Sequence, residues 1–242
     1  MSYGSVPKRP CQPCVYVSKN TPIRHGAGYW SNTRSKALKY NDIRDVLKIA
    51  DVRDIGDLIQ PDAECSTSIS DDCEALWQFI SGYDHLTRLP RLIEAWHERL
   101  AKERDWLLVL GNVWSICDNP SRYMDDLRLT TPFGLVADGK IPNSVMMSNA
   151  EQLCLSLLPD EFPIFRGCYS PDRNGASWSL HKEVACGFPY MHRFRRLGET
   201  PLLVEAAVQK RDVIALKLDR IEAEVITLRP DVVSVTNLPR VF

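Results

Sequence analysis

The chain has 242 residues, with 30 basic and 31 acidic side chains and a formal net charge of −1. This balance gives no overall electrostatic attraction to nucleic acid or to an anionic membrane surface. The sequence has no run of about 18 apolar residues of the kind that predicts a transmembrane helix. Its first residues lack the apolar segment of a secretion signal. We therefore expect a cytoplasmic protein, and the length allows one large domain or two small ones.

The eight cysteines are spread along the chain without a dense framework, so we expect reduced thiols rather than disulfides. Cys11 and Cys14 form a C-x-x-C pair, but Cys65 and Cys73 do not form a second tight pair. A structural zinc site usually has two such pairs. The sequence therefore predicts no metal site, and metal binding by Cys11 and Cys14 is left open.

The amino-terminal half divides into an irregular arm at 1–40 and a helical region at 41–140. The arm is rich in Pro, Ser, Asn, Gly and basic residues and shows no period. Apolar residues at helical spacing then predict a short amphipathic helix at 41–51. Asp71 and Glu74 are a capping pair for the next helix, and residues 117–144 are predicted to be loop because they contain many turn dipeptides.

The longest helical pattern opens at Pro90, a residue suited to a first helical turn. We interpret its tryptophans, Trp96, Trp106 and Trp114, as core packing, because aromatic residues at helical spacing are usually packing residues. The pattern predicts one apolar stripe. Its residues are Leu92, Ile93, Trp96, Leu100, Leu107, Leu110 and Trp114.

The carboxy-terminal part, 141–242, reads as one helix followed by strands. Ser148 and Glu151 form a capping box that predicts a helix at 149–158. Strands are predicted around Arg166, around Trp178, at 202–208, at 212–216, around the pair at 222–224, and at 232–235, with a short helix at 181–188 and a charged turn at 217–220. A helical half followed by a β half predicts the α+β class.

Three of these strands contain polar residues where apolar ones are expected: Arg166 in the first, Ser177 and Ser179 in the second, and Glu222 and Glu224 in a later one. Residues i and i+2 of a strand point to the same side of a sheet, so each pair is predicted to share a face. Burying such groups is costly unless they meet partners or a ligand. The sequence therefore predicts a functional site on these strands.

The order Arg, Ser-x-Ser, Glu-x-Glu resembles the mono-ADP-ribosyltransferase family of the arginine-serine-glutamate class. The resemblance covers about 160–236. It includes Phe165-Arg166-Gly167, then Gly175 to Ser179 followed by Glu183, Ala185 and Phe188, and finally Glu222-Ala223-Glu224-Val225-Ile226. Trp178 replaces the threonine usual in that family. The resemblance implies an ADP-ribosyltransferase-like split β-sheet core with a helical amino-terminal extension.

The resemblance also implies NAD as co-substrate and roles for the two glutamates. Cleavage of the nicotinamide glycosidic bond develops positive charge on the ribose, as in other oxocarbenium-like transfers. Glu224 is assigned to stabilise that charge from beside the ribose 2′-hydroxyl. Glu222 is assigned to hold or deprotonate the attacking group, and a glutamate there goes with arginine as the acceptor in that family.

The remaining site residues bind NAD in this interpretation. Arg166 supplies donors to pyrophosphate or ribose oxygens, and Gly167 lets the backbone approach the nicotinamide amide. Ser177 holds the strand geometry and the catalytic glutamate, and Ser179 hydrogen-bonds ribose or glutamate. Phe188 or Tyr190 stacks on nicotinamide, with core packing as the alternative for Phe188.

The implied function is transfer of ADP-ribose from NAD to a macromolecular acceptor, most simply a protein arginine, with release of nicotinamide. Such a compact enzyme resembles a toxin or a phage effector that modifies host proteins. Three alternatives stay open: an NAD glycohydrolase, a transferase acting on nucleic acid, and a non-catalytic binding module of the same fold that uses the basic cluster at 193–196 and the amino-terminal arm. No membrane partner is expected.

Overall fold

The computed structural model describes residues 70–118, 120–218 and 223–240. The predictions for the arm at 1–40, for the helix at 41–51 and for the pair Cys11 and Cys14 lie outside these residues. The position predicted for Glu222 also lies outside them.

Three helices open the described part: α1 (Asp71–Ser81), α2 (Arg88–His97) and α3 (Glu103–Val113), the last continued by a 3₁₀ segment, Trp114–Ile116. The cap of α1 was predicted one residue too late, because the Ser70 hydroxyl accepts the hydrogen bond from the Cys73 amide. A side-chain acceptor at this position satisfies an amide that has no partner within the helix.

The single long helix predicted from Pro90 to Trp114 is wrong, because α2 and α3 are separate. Arg99 has a φ of 59°, and the Leu100 amide donates to the Ala95 carbonyl at 3.0 Å, a left-handed ending typical of helix C-termini. Leu100 is consequently 46 % exposed instead of lying in the predicted stripe. The two helices pack side by side, and the Trp106 indole donates to the Leu92 carbonyl at 2.7 Å.

The predicted loop at 117–144 is also wrong, because it contains α4 (Met124–Thr130), α5 (Phe133–Ala137) and two 3₁₀ segments, Pro120–Tyr123 and Asn143–Met146. The prolines that favour turns lie at the beginnings of these short elements, where the missing N–H costs no hydrogen bond. Helix α6 (Asn149–Leu157) has the predicted capping box, with Ser148 and Glu151 bonding each other's main-chain amides.

The strands form one antiparallel sheet of six strands within the described residues, which confirms the α+β class. They are β1 (Glu161–Cys168), β2 (Ser177–Ser179), β3 (Leu202–Gln209), β4 (Val213–Lys217), β5 (Glu224–Thr227) and β6 (Asp231–Asn237), with α7 (Lys182–Gly187) between β2 and β3. Their order is β4-β5-β2-β1-β3-β6. The order makes neighbours of the three strands that contain the polar motif residues.

Two ends of the sheet differ in their burial. Lys217, predicted in a charged turn, is the last residue of β4 and is only 5 % exposed. Strand β6 lies at the opposite edge, and its Val233 is 71 % exposed. One apolar core runs from the helical region into the sheet and includes Trp106 and Ile164. Within the described residues, no helix has the length and apolar character needed to cross a membrane.

Candidate active site

Strands β5, β2 and β1 border a cavity of about 390 Å³. The motif residues that line it are Arg166, Gly167, Ser177, Ser179 and Glu224. The strand register explains their proximity, because Ser179 pairs with Phe165 on one side and with Glu224 on the other. The polar residues singled out in the sequence are thus brought to one place, apart from Glu222, which is not described.

Glu224, the first residue of β5, is 9 % exposed. Its Oε1 accepts a hydrogen bond from the Trp114 Nε1 at 3.1 Å, and the same N–H lies 3.1 Å from the Ser177 hydroxyl oxygen. The indole therefore bridges the serine strand and the glutamate strand. Ser177 and Glu224 thus share one hydrogen-bond donor, and the role predicted for Ser177 in holding the glutamate stays a prediction.

The strand argument for the glutamate pair does not extend to Glu222. Ala223 has a φ of 41° and lies before the first residue of β5, so the backbone there is not extended. Alternation between faces applies only to extended residues. A common face for the two carboxylates therefore does not follow from the strand periodicity.

The Ser-x-Ser segment is a short strand with different surroundings on its two sides. Ser179 Oγ donates to the His181 carbonyl and accepts from the His181 amide at 2.9 Å, so it shapes the turn into α7. The Trp178 indole is 2 % exposed and donates to the Gly175 carbonyl at 3.0 Å. Trp178 is a packing residue, as predicted.

Arg166 is bound largely by main-chain carbonyls. Its Nε donates to the Asp172 carbonyl at 3.0 Å, and its Nη1 donates to the Ser177 carbonyl. Burial lowers the pKa of Arg166 from its ordinary value, against the opposing effects of Cys168, Asp172 and Glu224. The guanidinium thus binds the connection between β1 and β2 to the first residue of β2. It also forms part of the cavity wall.

Two glycines make room for these contacts. A Cβ on Gly175 would lie 2.1 Å from the Arg166 Nη2, so the guanidinium occupies the space that a side chain would fill. A Cβ on Gly167 would lie 1.7 Å from the Ala185 carbonyl oxygen of α7. Gly167 therefore has a packing requirement in addition to the ligand-approach role predicted from the sequence.

The segment after α7 forms an aromatic and basic rim of the cavity. The rings of Phe188 and Phe194 lie 5.9 Å apart, and the Arg193 guanidinium lies 4.6 Å from the Phe194 ring centroid. Arg193 also pairs with Asp118 at 3.2 Å, which connects the rim to the helical region. Tyr190, the alternative to Phe188 for stacking, instead donates its hydroxyl to the Pro239 carbonyl at 2.7 Å.

Sequence reasoning missed the contribution of the helical region. Trp114, Cys117 and Asp118 line the cavity, although Trp114 was interpreted as packing alone. Its spacing in a helical pattern carries no signal of a contact with a residue 110 positions away. The described residues contain no group of three or more His, Cys, Asp or Glu side chains that could hold a metal ion.

No protein-family model matches the chain, and the searches of curated proteins and of solved structures found no significant match. The motif residues and the geometry of the cavity are therefore the features that bear on function.

Proposed function

We propose that this protein is an NAD-dependent mono-ADP-ribosyltransferase. The observation that carries the proposal is that Arg166, the Ser177 and Ser179 pair, and Glu224 come from three adjacent strands and line one cavity. Any one of these residues taken alone is weak evidence for a site. Their convergence on one concave, partly apolar wall is what favours a binding site over three unrelated surface features.

The cavity has the size and chemistry to receive part of a dinucleotide. Its volume of about 390 Å³ lies within the range of about 300–1,000 Å³ typical of small-molecule sites. The half-buried rings of Phe188 and Phe194 offer apolar surface for a flat heterocycle. Arg166 and Arg193 contribute cationic donors that suit phosphate oxygens.

Glu224 is the residue that acts on the reacting centre in this proposal. The bond between ribose C1′ and the nicotinamide nitrogen breaks, and nicotinamide leaves with the bonding electrons as a neutral molecule. The ribose becomes oxocarbenium-like, a nucleophile on the acceptor forms the new bond to C1′, and its proton is lost. The buried Glu224 carboxylate stabilises the positive charge, and its scarce exposure to water strengthens this interaction.

The acceptor is proposed to be a macromolecule, most simply a protein arginine, with Glu222 deprotonating or holding the attacking group. This part depends on the resemblance of the Glu-x-Glu motif. We propose that the enzyme works in the cytoplasm of its producer or of a host cell, as a toxin or phage effector would.

Incubation of the full-length protein with labelled NAD and cell extract tests the proposal. We expect release of nicotinamide and a labelled protein, and we expect Glu224→Gln to abolish both. Glu205→Gln is the matched control, because Glu205 lies on β3 of the same sheet and pairs with Lys182, and neither residue lines the cavity.

Other outcomes separate the alternatives. Nicotinamide release without a labelled macromolecule would indicate a glycohydrolase, and label in RNA or DNA would indicate a nucleic-acid acceptor. If nicotinamide is not released, and calorimetry detects no NAD binding, the proposal is wrong. Retention of full activity by Glu224→Gln would refute the assignment of Glu224.

A further inference from the structure

Trp114 is an unusual member of the cavity wall, because it comes from the helical region and not from the motif strands. It is 1 % exposed and begins the 3₁₀ segment after α3. Its ring stacks on Phe133, with centroids 5.5 Å apart and planes 14° from parallel. The surrounding core thus holds the indole in one orientation and determines where its single N–H points.

That N–H points at two side-chain oxygens of the motif. It lies 3.1 Å from Glu224 Oε1 and 3.1 Å from Ser177 Oγ. Trp96, Trp106 and Trp178 instead donate to main-chain carbonyls. A buried indole needs a hydrogen-bond acceptor, and a carbonyl would have satisfied it. Because its acceptors are instead a carboxylate and a hydroxyl of the cavity wall, Trp114 directly contacts the groups proposed to act in catalysis.

We propose that Trp114 is a positioning residue that holds the Glu224 carboxylate, together with Ser177, in the orientation needed for catalysis. This inference rests on the proposed function. A buried carboxylate is costly without donors, and a donor fixed by its own packing holds the carboxylate without reorganising during the reaction. The helical region therefore supplies part of the site itself, beyond covering the sheet.

The effect should appear in turnover more than in substrate affinity. Trp114→Phe keeps the aromatic stacking on Phe133 and removes the N–H. Hydrogen bonds to charged groups are among the stronger ones, so we expect kcat for nicotinamide release to fall about tenfold or more. The KM for NAD should stay within about twofold. A loss that came only from partial unfolding would lower the amount of active protein and leave its pH profile unchanged.

Trp106→Phe is the matched control in the full-length protein. Trp106 is 0 % exposed, and its N–H donates to the Leu92 carbonyl. The same substitution therefore removes a buried indole hydrogen bond outside the cavity. We expect kcat of this variant to match the wild type per folded molecule, with both variants checked by thermal unfolding.

A second replacement covers the case in which Trp114→Phe does not fold. Incorporation of 3-benzothienylalanine at position 114 replaces the indole N–H by sulfur and keeps the ring shape. A kcat reduced about tenfold supports the positioning role. An unchanged kcat, with Glu224→Gln inactive, overturns the inference while leaving the proposed function standing.

A double-mutant cycle tests the contact without using activity. Urea unfolding gives the free-energy change for Trp114→Phe, for Glu224→Gln and for the double variant. These changes should be non-additive, because the residues touch. Non-additive changes in a protein that releases no nicotinamide would refute the proposed function but not the contact. Additive changes would overturn the positioning role whatever the activity.

Discussion

Two buried carboxylates in this protein have different surroundings. Glu151, at the start of α6, is 5 % exposed, and its Oε2 lies 2.8 Å from the Lys217 ammonium. The Ser148 amide also donates to Oε2, and the Leu218 amide donates to Oε1. Glu224 is 9 % exposed, receives the neutral indole N–H of Trp114, and lines the cavity.

The difference separates a structural carboxylate from a candidate catalytic one. Both oxygens of Glu151 are engaged by a cation and by main-chain amides, so its charge serves to fasten α6 to the end of β4. Glu224 lies where a ligand would meet it. Burial alone therefore does not identify a catalytic residue. Access to the cavity is what makes Glu224, and not Glu151, the candidate.

The largest expected effect is on catalysis at Glu224. Glu224→Asp keeps the charge but withdraws it by one methylene from the Trp114 N–H. A displacement of about 1 Å can cost about a hundredfold in rate, so we expect kcat for nicotinamide release to fall about a hundredfold. Glu151→Asp makes the same chemical change at the structural carboxylate, and its kcat per folded molecule should equal that of the wild type. Equal losses in both variants would remove the distinction.

The next effect is on stability at Glu151. Glu151→Gln leaves Lys217 buried without its carboxylate, and breaking such a pair costs about 3–5 kcal/mol in free energy of unfolding. Urea unfolding measures this loss. The double variant Glu151→Leu with Lys217→Met should recover most of it, since an apolar pair is often as stable as a buried ion pair. If the double variant does not recover this stability, the loss comes mainly from the amides of Ser148 and Leu218, which no longer have their acceptor.

Sequence patterns predicted the sheet better than the helical region. The strands around Arg166 and Trp178 and the capping box of Ser148 and Glu151 depend on local alternation and local hydrogen bonds, which the sequence displays directly. The separation of α2 from α3 depends on a left-handed residue, Arg99, that no composition rule favours there. Tertiary packing of the two helices overrides the continuous apolar pattern.

The sequence predicted the part of the candidate site that lies on the strands, but not the part contributed by the helical region. Arg166, Ser177, Ser179 and Glu224 were singled out because polar residues interrupt apolar strands, and all four line the cavity. The contribution of Trp114 depends on a contact between residues far apart in the chain, and a helical period contains no information about it. Lys217 was misplaced for a similar reason, because its partner Glu151 lies in α6.

Close packing around the motif predicts a third effect, smaller than that at Glu151. In Gly167→Ala the new Cβ would lie 1.7 Å from the Ala185 carbonyl, so β1 and α7 must separate. Overpacking of this kind typically costs about 1–3 kcal/mol in free energy of unfolding. Gly187→Ala is the control, because a Cβ there meets nothing within 4 Å. A Gly167→Ala variant as stable as this control would show that α7 is not tightly packed.

The smallest effects should come from two cysteines that lie near the two carboxylates. Burial raises the pKa of Cys117 to about 12, against an opposing effect of Arg88 and with added contributions from Asp118 and then Glu224. Burial, and then the charge of Glu151, raise the pKa of Cys154 to about 11. In the unfolded chain these thiols ionise near 9.0, so the folded state holds more protons above that pH. Stability is therefore complete below about pH 9 and falls as the pH rises through the folded pKa.

Urea unfolding at pH 8 and pH 10 measures this loss. Each thiol should contribute up to about 1.4 kcal/mol per pH unit between its unfolded and folded pKa. Cys117→Ala and Cys154→Ala should each lose less stability than the wild type over this interval, and Cys186→Ala, at a half-buried thiol, is the comparison. Because burial is the main cause at both sites, the two variants should respond similarly at pH 10. If only Cys154→Ala reduces the loss of stability between pH 8 and pH 10, the cavity lets water reach Cys117. The thiol near Glu224 would then be more hydrated than the thiol near Glu151.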